Sequence, residues 1–459
     1  MRNMSLEQIT SVCGGTYYGD SNSYSQEING VVIDSRKVAP GYLFVPIKGE
    51  RVDGHDYIPQ VMKKGALCSF SEHLLEHTSH PYILVDSCVV ALQTLAAYYR
   101  DSLDIKVVGI TGSVGKTSTK EMVASVLAQK YKVLKTEGNF NNELGLPLTI
   151  FQIRDEHEIA VLEMGIGDFN EMHCLAAMAK PDVCVITNIG YAHLENLKSR
   201  EGILKAKTEM FDHMKPNPII VLNGEDDMLT QIGVVHGTTP IFFGTSNNYN
   251  IYATDIKNLG LRGTTCTIHL PHSTIAPTIP APGIHMVSNA LAGACVGYAL
   301  GLTADEILHG IEGLIPVSGR NHVIETNDLL IIDDCYNANP ASMKASLDVL
   351  STGDGRTVAI LGDMFELGTD ELKLHGETGA YAALLGIDVI CCIGHLSKAM
   401  ANGATSAGSK KSTIQYYETK ILFLDTIEEI IQKGDTVLVK ASHSMDFSEI
   451  VETLRRLSF

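Results

Sequence analysis

The sequence has no surplus of basic residues, no long apolar run, no paired-cysteine motif and no internal repeat. Lys and Arg number 35 against 53 Asp and Glu, a formal charge of −18, and the pI is near 5.4. That balance argues against nonspecific binding to DNA, RNA or anionic membranes, while a local basic site for one phosphorylated ligand stays open. The longest weakly polar run, Asn289 to Ala304, is Gly- and Ala-rich and falls short of the roughly 20 residues of a membrane span. It reads as a buried helix. The opening MRNMSLEQITSV has no apolar h-region, so no secretory signal is expected. The 10 cysteines are scattered without a C-x-x-C pair, and only Cys391 and Cys392 are adjacent. In so long a chain this is the usage of reduced cytosolic thiols, most of them small core hydrophobes. The expectations are a cytoplasmic location, no nucleic-acid partner and no membrane insertion. Neither the cysteines nor short charge runs such as Lys410-Lys411 are given a role.

What is present is globular. Hydrophobic residues make up 45% and charged residues 19% of the 459, with 41 Gly against 15 Pro. At roughly 150 residues per domain, that length predicts about three domains. From Val107 onward short β-branched runs alternate with helical patterns: VVGI (107–110), IAVLE (159–163), VCVIT (183–187), IIVL (219–222) and IFFG (241–244). Continuous apolar strands between helices predict a mostly parallel sheet covered on both faces. Residues 250–283, with alternating TCTIHL and Pro-rich PTIPAPG, read as an antiparallel flap before a helix near Val287. A second βα series follows: LLIID (329–333), TVAIL (357–361), DVICCI (388–393) and TVLVK (436–440), with helices near 342–351, 373–385 and 445–457. It is Rossmann-like but lacks G-x-G-x-x-G, so the fold alone assigns it no dinucleotide. The first 100 residues hold shorter strands around VVIDSR and YLFVPIKG. The expected fold class is α/β in three domains, at 1–100, 101–315 and 316–459.

One loop carries chemistry by itself. Gly109-Ile110-Thr111-Gly112-Ser113-Val114-Gly115-Lys116-Thr117, followed by Ser118, runs from a strand into a helix. Glycines let backbone N–H groups turn around phosphate oxygens, and the helix N-terminus adds positive potential. Lys116 would reach the β/γ-phosphates and the Thr117 hydroxyl would ligate Mg²⁺. The strict G-x-x-x-x-G-K-[ST] pattern fails at Ile110, yet G-K-T in this context predicts binding of ATP or GTP. Glu163, ending a strand before Gly165 and Gly167, is of a type that hard Mg²⁺ accepts. Taken singly it reads as a cap or surface charge. By the same standard His193 is a structural histidine, Lys207 an exposed lysine on its helix, Asn289 a helix N-cap and Arg320 a salt-bridge partner.

Further segments, read with this loop, resemble the Mur ligase superfamily of ATP-dependent peptide-forming enzymes. The loop has that superfamily's T-G-[ST]-x-G-K-T form. Downstream lie Gly138-Asn139-Phe140-Asn141-Asn142, Leu162-Glu163-Met164-Gly165, Thr187-Asn188-Ile189-Gly190-Tyr191-Ala192-His193-Leu194-Glu195 and Ala206-Lys207-Thr208-Glu209. Gly283-Ile284-His285 precedes Asn289-Ala290-Leu291-Ala292, and Ser318-Gly319-Arg320 opens the last domain. Asp333-Asp334-Cys335-Tyr336-Asn337-Ala338-Asn339-Pro340, LGDMFELG (361–368) and Val439-Lys440-Ala441-Ser442 resemble its dipeptide-adding branch. Asp34-Ser35-Arg36, Gly41-x-Leu43-Phe44-Val45 and Asp53-Gly54-His55 resemble that branch's sugar-nucleotide domain. The likeness covers essentially the whole chain. It departs at Tyr191, where the family commonly has Pro, and at His443, where it commonly has Arg.

The resemblance implies that D-alanyl-D-alanine is joined to UDP-N-acetylmuramoyl-tripeptide through an acyl phosphate, with ATP consumed, in peptidoglycan-precursor synthesis. It implies a UDP-substrate domain, a central P-loop ATPase domain and a Rossmann-like dipeptide domain, acting as a monomer. Glu163, His193 and Lys207 become ligands of Mg²⁺, two ions in all, with Lys207 carbamylated by CO₂. Lys116, His193 and Lys207 become catalytic, and Thr111 through Ser118, Asn289, Arg320 and Asp334 hold the nucleotide. Ser35 and Arg36 would hold the UDP end, with Asp53 and His55 shaping the turn. Asn139, Asn142, Thr187 and Asn188 would line the path to the γ-phosphate, and Asn337, Asn339, Asp363 and Glu366 would bind the dipeptide. Competing readings are a sibling ligase adding the third amino acid, a folylpolyglutamate synthase, and a P-loop ATPase that moves domains. LGDMFELG and DDCYNANP oppose the first, and the opening domain opposes the second.

Overall fold

The structure, a computed structural model, describes residues 4–49, 51–76, 80–408 and 411–459. The first three residues of the opening segment and Lys410 of the charge run lie outside the described residues. Three sheets form among those described. The first contains β1 (Thr16–Tyr18), β2 (Gly30–Val32), β3 (Tyr42–Phe44), β4 (Cys68–Ser71) and β5 (Tyr82–Leu84) in the order β1-β5-β4-β3-β2. All its pairs but β1–β5 are parallel. The helix Cys88–Asp101 leads out of this unit, and near its end the buried Arg100 donates to the carbonyls of Ala179 (3.0 Å), Leu103 (3.4 Å) and Ile105 (3.2 Å). These bonds tie the first unit to the second.

The second sheet contains β6 (Lys106–Thr111), β7 (Val133–Lys135), β8 (Ile159–Glu163), β9 (Val183–Ile186), β10 (Ile219–Asn223) and β11 (Ile241–Gly244). It continues through β12 (Ile251–Asn258), β13 (Thr264–Leu270), β14 (Ser273–Ile275) and β15 (Thr278–Ile279). The order is β14-β13-β12-β11-β10-β9-β6-β8-β7, with β15 also on β13. Every residue of β8 and β9 is buried, as their unbroken apolar runs require when helices cover both faces. The expected flap at 250–283 is instead an extension of the main sheet, because β12 pairs parallel with β11 before β13 turns antiparallel. In β13 burial alternates strictly, so the TCTIHL pattern marks one packed face. The helix after it spans His285–Ala299.

The third sheet contains β16 (His322–Glu325), β17 (Leu330–Asp333), β18 (Thr357–Gly362), β19 (Val389–Ile393), β20 (Thr413–Tyr417) and β21 (Thr436–Lys440). Its order is β16-β17-β21-β18-β19-β20, antiparallel only at β16–β17. Its helices include Pro340–Leu350, Glu371–Leu384 and Ser448–Arg456, each within a few residues of expectation. All ten cysteines are free thiols. Among the described residues no helix is long and apolar enough to cross a membrane. Because β6 lies between β8 and β9, connections leave it in opposite directions, and the crevice at the strands' C-terminal ends is where an α/β sheet binds ligands.

Candidate active site

A cavity of about 810 Å³ opens there, walled by the second and third units. The loop from Gly112 to Gly115 turns from β6 into the helix Lys116–Leu127. Gly112 has φ +152° and Gly115 +83°, and a Cβ on Gly112 would overlap Thr187 Oγ1. The helix start has no side-chain cap, so its first N–H groups remain open to an anion. Thr187 and Asn188, expected on the substrate path, fasten this loop. Thr187 Oγ1 donates to Val114 O (2.6 Å), and Asn188 exchanges bonds with the Val114 N–H (3.0 Å) and C=O (2.9 Å). Both still line the cavity, as do Ser113, Val114, Gly115, Lys116, Thr117 and Ser118. Thr111 lies buried below, at the end of β6.

The cavity floor is cationic. Lys116 Nζ donates to Gly112 O at 2.9 Å. Burial lowers its pKa; Glu163 pulls it back up, and Arg320 adds to the lowering. Arg320 arrives from the third unit, donating to Thr117 Oγ1 at 3.2 Å while its guanidinium lies 3.9 Å over the Tyr336 ring. It is therefore held by a ring face, not by the salt bridge read from the sequence. Two acids hold its linker in place. Asp333 accepts from Ser318 Oγ (3.0 Å) and Gly319 N–H (2.9 Å), and Asp334 accepts from Asn321 N–H (3.1 Å). Asp334 is itself buried against Lys440, which also donates to Asn337 O at 3.0 Å. Asn289 lies inside its helix and is no N-cap; its Oδ1 accepts from Thr119 Oγ1 at 2.9 Å.

Glu163 is 2% exposed. Its Oε1 accepts from Asn141 Nδ2 at 2.8 Å, whereas Oε2 is buried with no hydrogen-bond partner among the described residues. An orphaned carboxylate oxygen facing a phosphate loop suits a hard cation. Lys207, read from periodicity as exposed, is 1% exposed. Burial, then the charge of Lys116, holds its pKa well below the usual lysine range. His193 lines the cavity at φ +59°, and its Nδ1 meets Glu366 Oε2 of the third unit at 2.9 Å. Hydrogen bonding from His193 lowers the Glu366 pKa against the opposing effect of burial.

The remaining expected residues divide. Asn142, Asn337 and Asn339 line the cavity; Asn142 Oδ1 also accepts from Gly145 N–H (2.9 Å), and Asn339 caps the helix Pro340–Leu350. Asn139 bonds the Tyr336 side chain. Asp363 is withdrawn from the cavity: it is buried, and its Oδ1 accepts from Ser397 N–H (2.7 Å) and Oγ (2.6 Å). That makes it a helix cap, not a dipeptide contact. Ser35, Arg36, Asp53 and His55 lie in the first unit, off the cavity wall. Arg36 pairs with Asp34, whose carboxyl it holds down at about 2. Ser35 O accepts from Lys64 Nζ at 3.0 Å. Asp53 accepts from His55 N–H (2.9 Å) and ring Nδ1 (2.7 Å), and the buried His55 shapes that turn. Lys37 Nζ lies 5.8 Å from the Phe140 ring, bringing this turn beside the Gly138–Asn142 loop. Tyr336, Lys440 and Asp333 had no role from sequence, although all three stand in quoted motifs. The departure His443 packs its ring 5.2 Å from that of Tyr336, and Tyr191 is exposed on the cavity rim.

Three family profiles match the chain: "Mur ligase family, catalytic domain" over residues 27–100, "Mur ligase middle domain" over 110–297, and "Mur ligase, glutamate ligase domain" over 319–443. The UDP-N-acetylmuramoyl-tripeptide–D-alanyl-D-alanine ligase of Bacillus subtilis is 39% identical over 432 residues, 93% of each chain. A crystal structure of MurF from Acinetobacter baumannii superposes with a TM-score of 0.92 at 31% identity, covering 100% of both chains. MurF ligase from Thermotoga maritima, solved in complex with ADP, gives a TM-score of 0.82 at 31% identity over 93% of this chain and 97% of its own.

Proposed function

The chain belongs to the Mur ligase family, and from that premise we propose that it joins D-alanyl-D-alanine to UDP-N-acetylmuramoyl-tripeptide with ATP. The observation that carries this reading is the seam itself: Arg320 of the third unit, stacked on Tyr336, reaches Thr117 of the phosphate loop, over one cavity large enough for a nucleotide and a peptide end. The residues 1–100 serve the UDP substrate, 101–315 the nucleotide and 316–459 the dipeptide.

In this reading the loop from Thr111 to Ser118 cradles the phosphates, and Asn289, Arg320 and Asp334 hold the rest of the nucleotide. Thr117, Glu163, His193 and Lys207 would hold two Mg²⁺ ions. Bound there, Mg²⁺ would neutralise the anionic oxygens that must approach one another. The carboxylate of the tripeptide attacks the γ-phosphorus, ADP leaves, and an acyl phosphate forms. The dipeptide amine then attacks the acyl carbon, losing a proton, and inorganic phosphate departs as the amide forms. Lys116 and Arg320 stabilise charge on the transferred phosphoryl group. No side chain acts as nucleophile. Lys207 is buried, and burial and then the charge of Lys116 lower its pKa, the direction that favours the neutral amine which adds CO₂ to become an anionic carbamate, with release of one proton.

Ser35 and Arg36 hold the UDP end, Asp53 and His55 shape their turn, and Asn139, Asn142, Thr187 and Asn188 flank the path. Asn337, Asn339 and Glu366 receive the dipeptide, and the exposed carboxylate of Glu366 suits its ammonium. The enzyme works in the cytoplasm as a monomer, where its phosphorylated substrates would be made. The decisive assay is phosphate release with ATP and Mg²⁺, omitting each acceptor in turn. Turnover that needs both, with a UDP-pentapeptide mass, supports the ligase; turnover that needs neither leaves only an ATPase.

A further inference from the structure

A second cluster of titratable side chains lies outside the cavity, on the second unit. The helix Glu171–Ala179 and the turn Glu209–His213 bring two imidazoles together, with Nε2 of His173 3.1 Å from Nε2 of His213. The ring centroids are 4.3 Å apart, at 67°. On its other side, His173 Nδ1 meets Asp212 Oδ2 at 3.1 Å. Glu209 fixes the spacing of the two elements by accepting from the backbone N–H of Asn170 (3.1 Å) and of His173 (3.3 Å). The cluster is open to solvent, the His173 side chain being 44% and Asp212 53% exposed.

The hydrogen-bond network sets the tautomers. With Nδ1–H of His173 directed at Asp212, its Nε2 keeps a lone pair, and His213 supplies the one proton between the rings. An ion bonded to two imidazoles at about 2.0–2.1 Å separates their nitrogens by about 2.9 Å at a right angle and about 3.3 Å at the tetrahedral angle. The observed 3.1 Å falls between these limits, and the 4.3 Å centroid separation, shorter than such a chelate has, requires both rings to turn outward on binding. A carboxylate on the far nitrogen of a ligating histidine is the usual outer partner of such a ligand. Burial, then His173, lowers the His213 pKa, with Asp212 opposing and Lys180 reinforcing.

We propose that His173 and His213 form a peripheral chelate for one borderline divalent transition-metal ion of the zinc, nickel or copper class, with Asp212 orienting His173. Imidazole nitrogens suit these ions and not the hard Mg²⁺ assigned to the cavity. On binding, His213 moves its ring proton from Nε2 to Nδ1, so no proton is lost. Among the described residues no third His, Cys, Asp or Glu joins the group, and waters fill the other positions. The turn Glu209–His213 directly continues the helix that carries Lys207, so the ion would staple that helix to its neighbour.

The test is a Cu²⁺ titration of the full chain, read by electron paramagnetic resonance, where coordinated imidazole nitrogens split the copper signal. Wild-type protein is expected to take up one ion with a two-nitrogen pattern. His173→Gln and His213→Gln should each bind at least tenfold more weakly with one nitrogen lost, and Asp212→Asn should weaken binding while keeping both. His193→Gln, which alters the cavity imidazole, should leave the signal unchanged. Circular dichroism of each variant establishes that it is folded. The proposal is overturned if no saturable binding occurs, if the His173→Gln/His213→Gln double variant binds as wild type, or if His193→Gln alone abolishes the signal.

Discussion

Replacing Gly112 by alanine tests how the phosphate loop is built. The new Cβ would overlap Thr187 Oγ1 and stand 3.1 Å from Thr187 Cβ and 3.2 Å from its backbone N. The hydroxyl cannot withdraw freely, because it donates to Val114 O at 2.6 Å within the loop. Relief by rotating Thr187 would leave its own buried hydroxyl without an acceptor, at about 1–3 kcal/mol, although Val114 O keeps its bond from the Asn188 amide. The backbone at φ +152° adds about 1–3 kcal/mol of strain for a residue with a Cβ. The sum, about 2–6 kcal/mol, falls on the loop that holds the phosphates. ADP binding, measured calorimetrically, should weaken at least 30-fold. Pairing it with Thr187→Ala isolates the clash: in that background, Gly112→Ala should cost about 1–3 kcal/mol less. An equal cost in both backgrounds would refute the steric argument, and wild-type affinity in the single variant would refute the whole account of the loop.

Other perturbations follow from buried charges and from the seam. Lys440→Met strands Asp334 without its ammonium partner and should destabilise the chain by about 3–5 kcal/mol in chemical unfolding, with Asp334→Asn in the same chain recovering much of the loss. Lys207→Met should raise the melting temperature near pH 7 while removing ligase activity. The unfolded lysine binds a proton that the buried one resists, so native stability rises with pH toward the ordinary lysine range, and the variant's advantage should shrink over that span. A melting temperature lowered by Lys207→Met in CO₂-free buffer at pH 7 would contradict this. Glu366→Gln should change stability by no more than about 1 kcal/mol, because the carboxylate is exposed, yet raise KM for the dipeptide and loosen the seam in small-angle scattering. Arg36→Ala, at a side chain 88% exposed, should raise KM for the UDP substrate with no shift in melting temperature.

Much of the chain could be read before folding, and the failures have physical causes. The βα alternation gave both parallel sheets because a strand covered on both faces must be apolar throughout, as in IAVLE and VCVIT. The stretch at 250–283 misled because alternation reports only that one face is buried; β12 alternates in burial at its start, yet its partner β11 lies parallel to it. Lys207 misled for the converse reason. A helix of nine residues carrying two lysines and an arginine reads as a solvated face, and only the neighbouring elements bury one of them. Asp363 and Glu366, three residues apart in one motif, parted company: one caps the helix Ser397–Ser406, the other reaches across to His193.

The sequence by itself determined the phosphate loop, the three-part α/β order and the family, since each depends on local residue types at fixed spacing. Tertiary structure alone decided what those residues touch. It set Arg320 over Tyr336 and against Thr117, 203 positions away, buried Lys207 within reach of the Lys116 charge, left Glu163 Oε2 without a partner among the described residues and placed two histidines of different elements in contact. Desolvation and pairing depend on atoms brought together from distant parts of the chain, and no local pattern records which atoms those are.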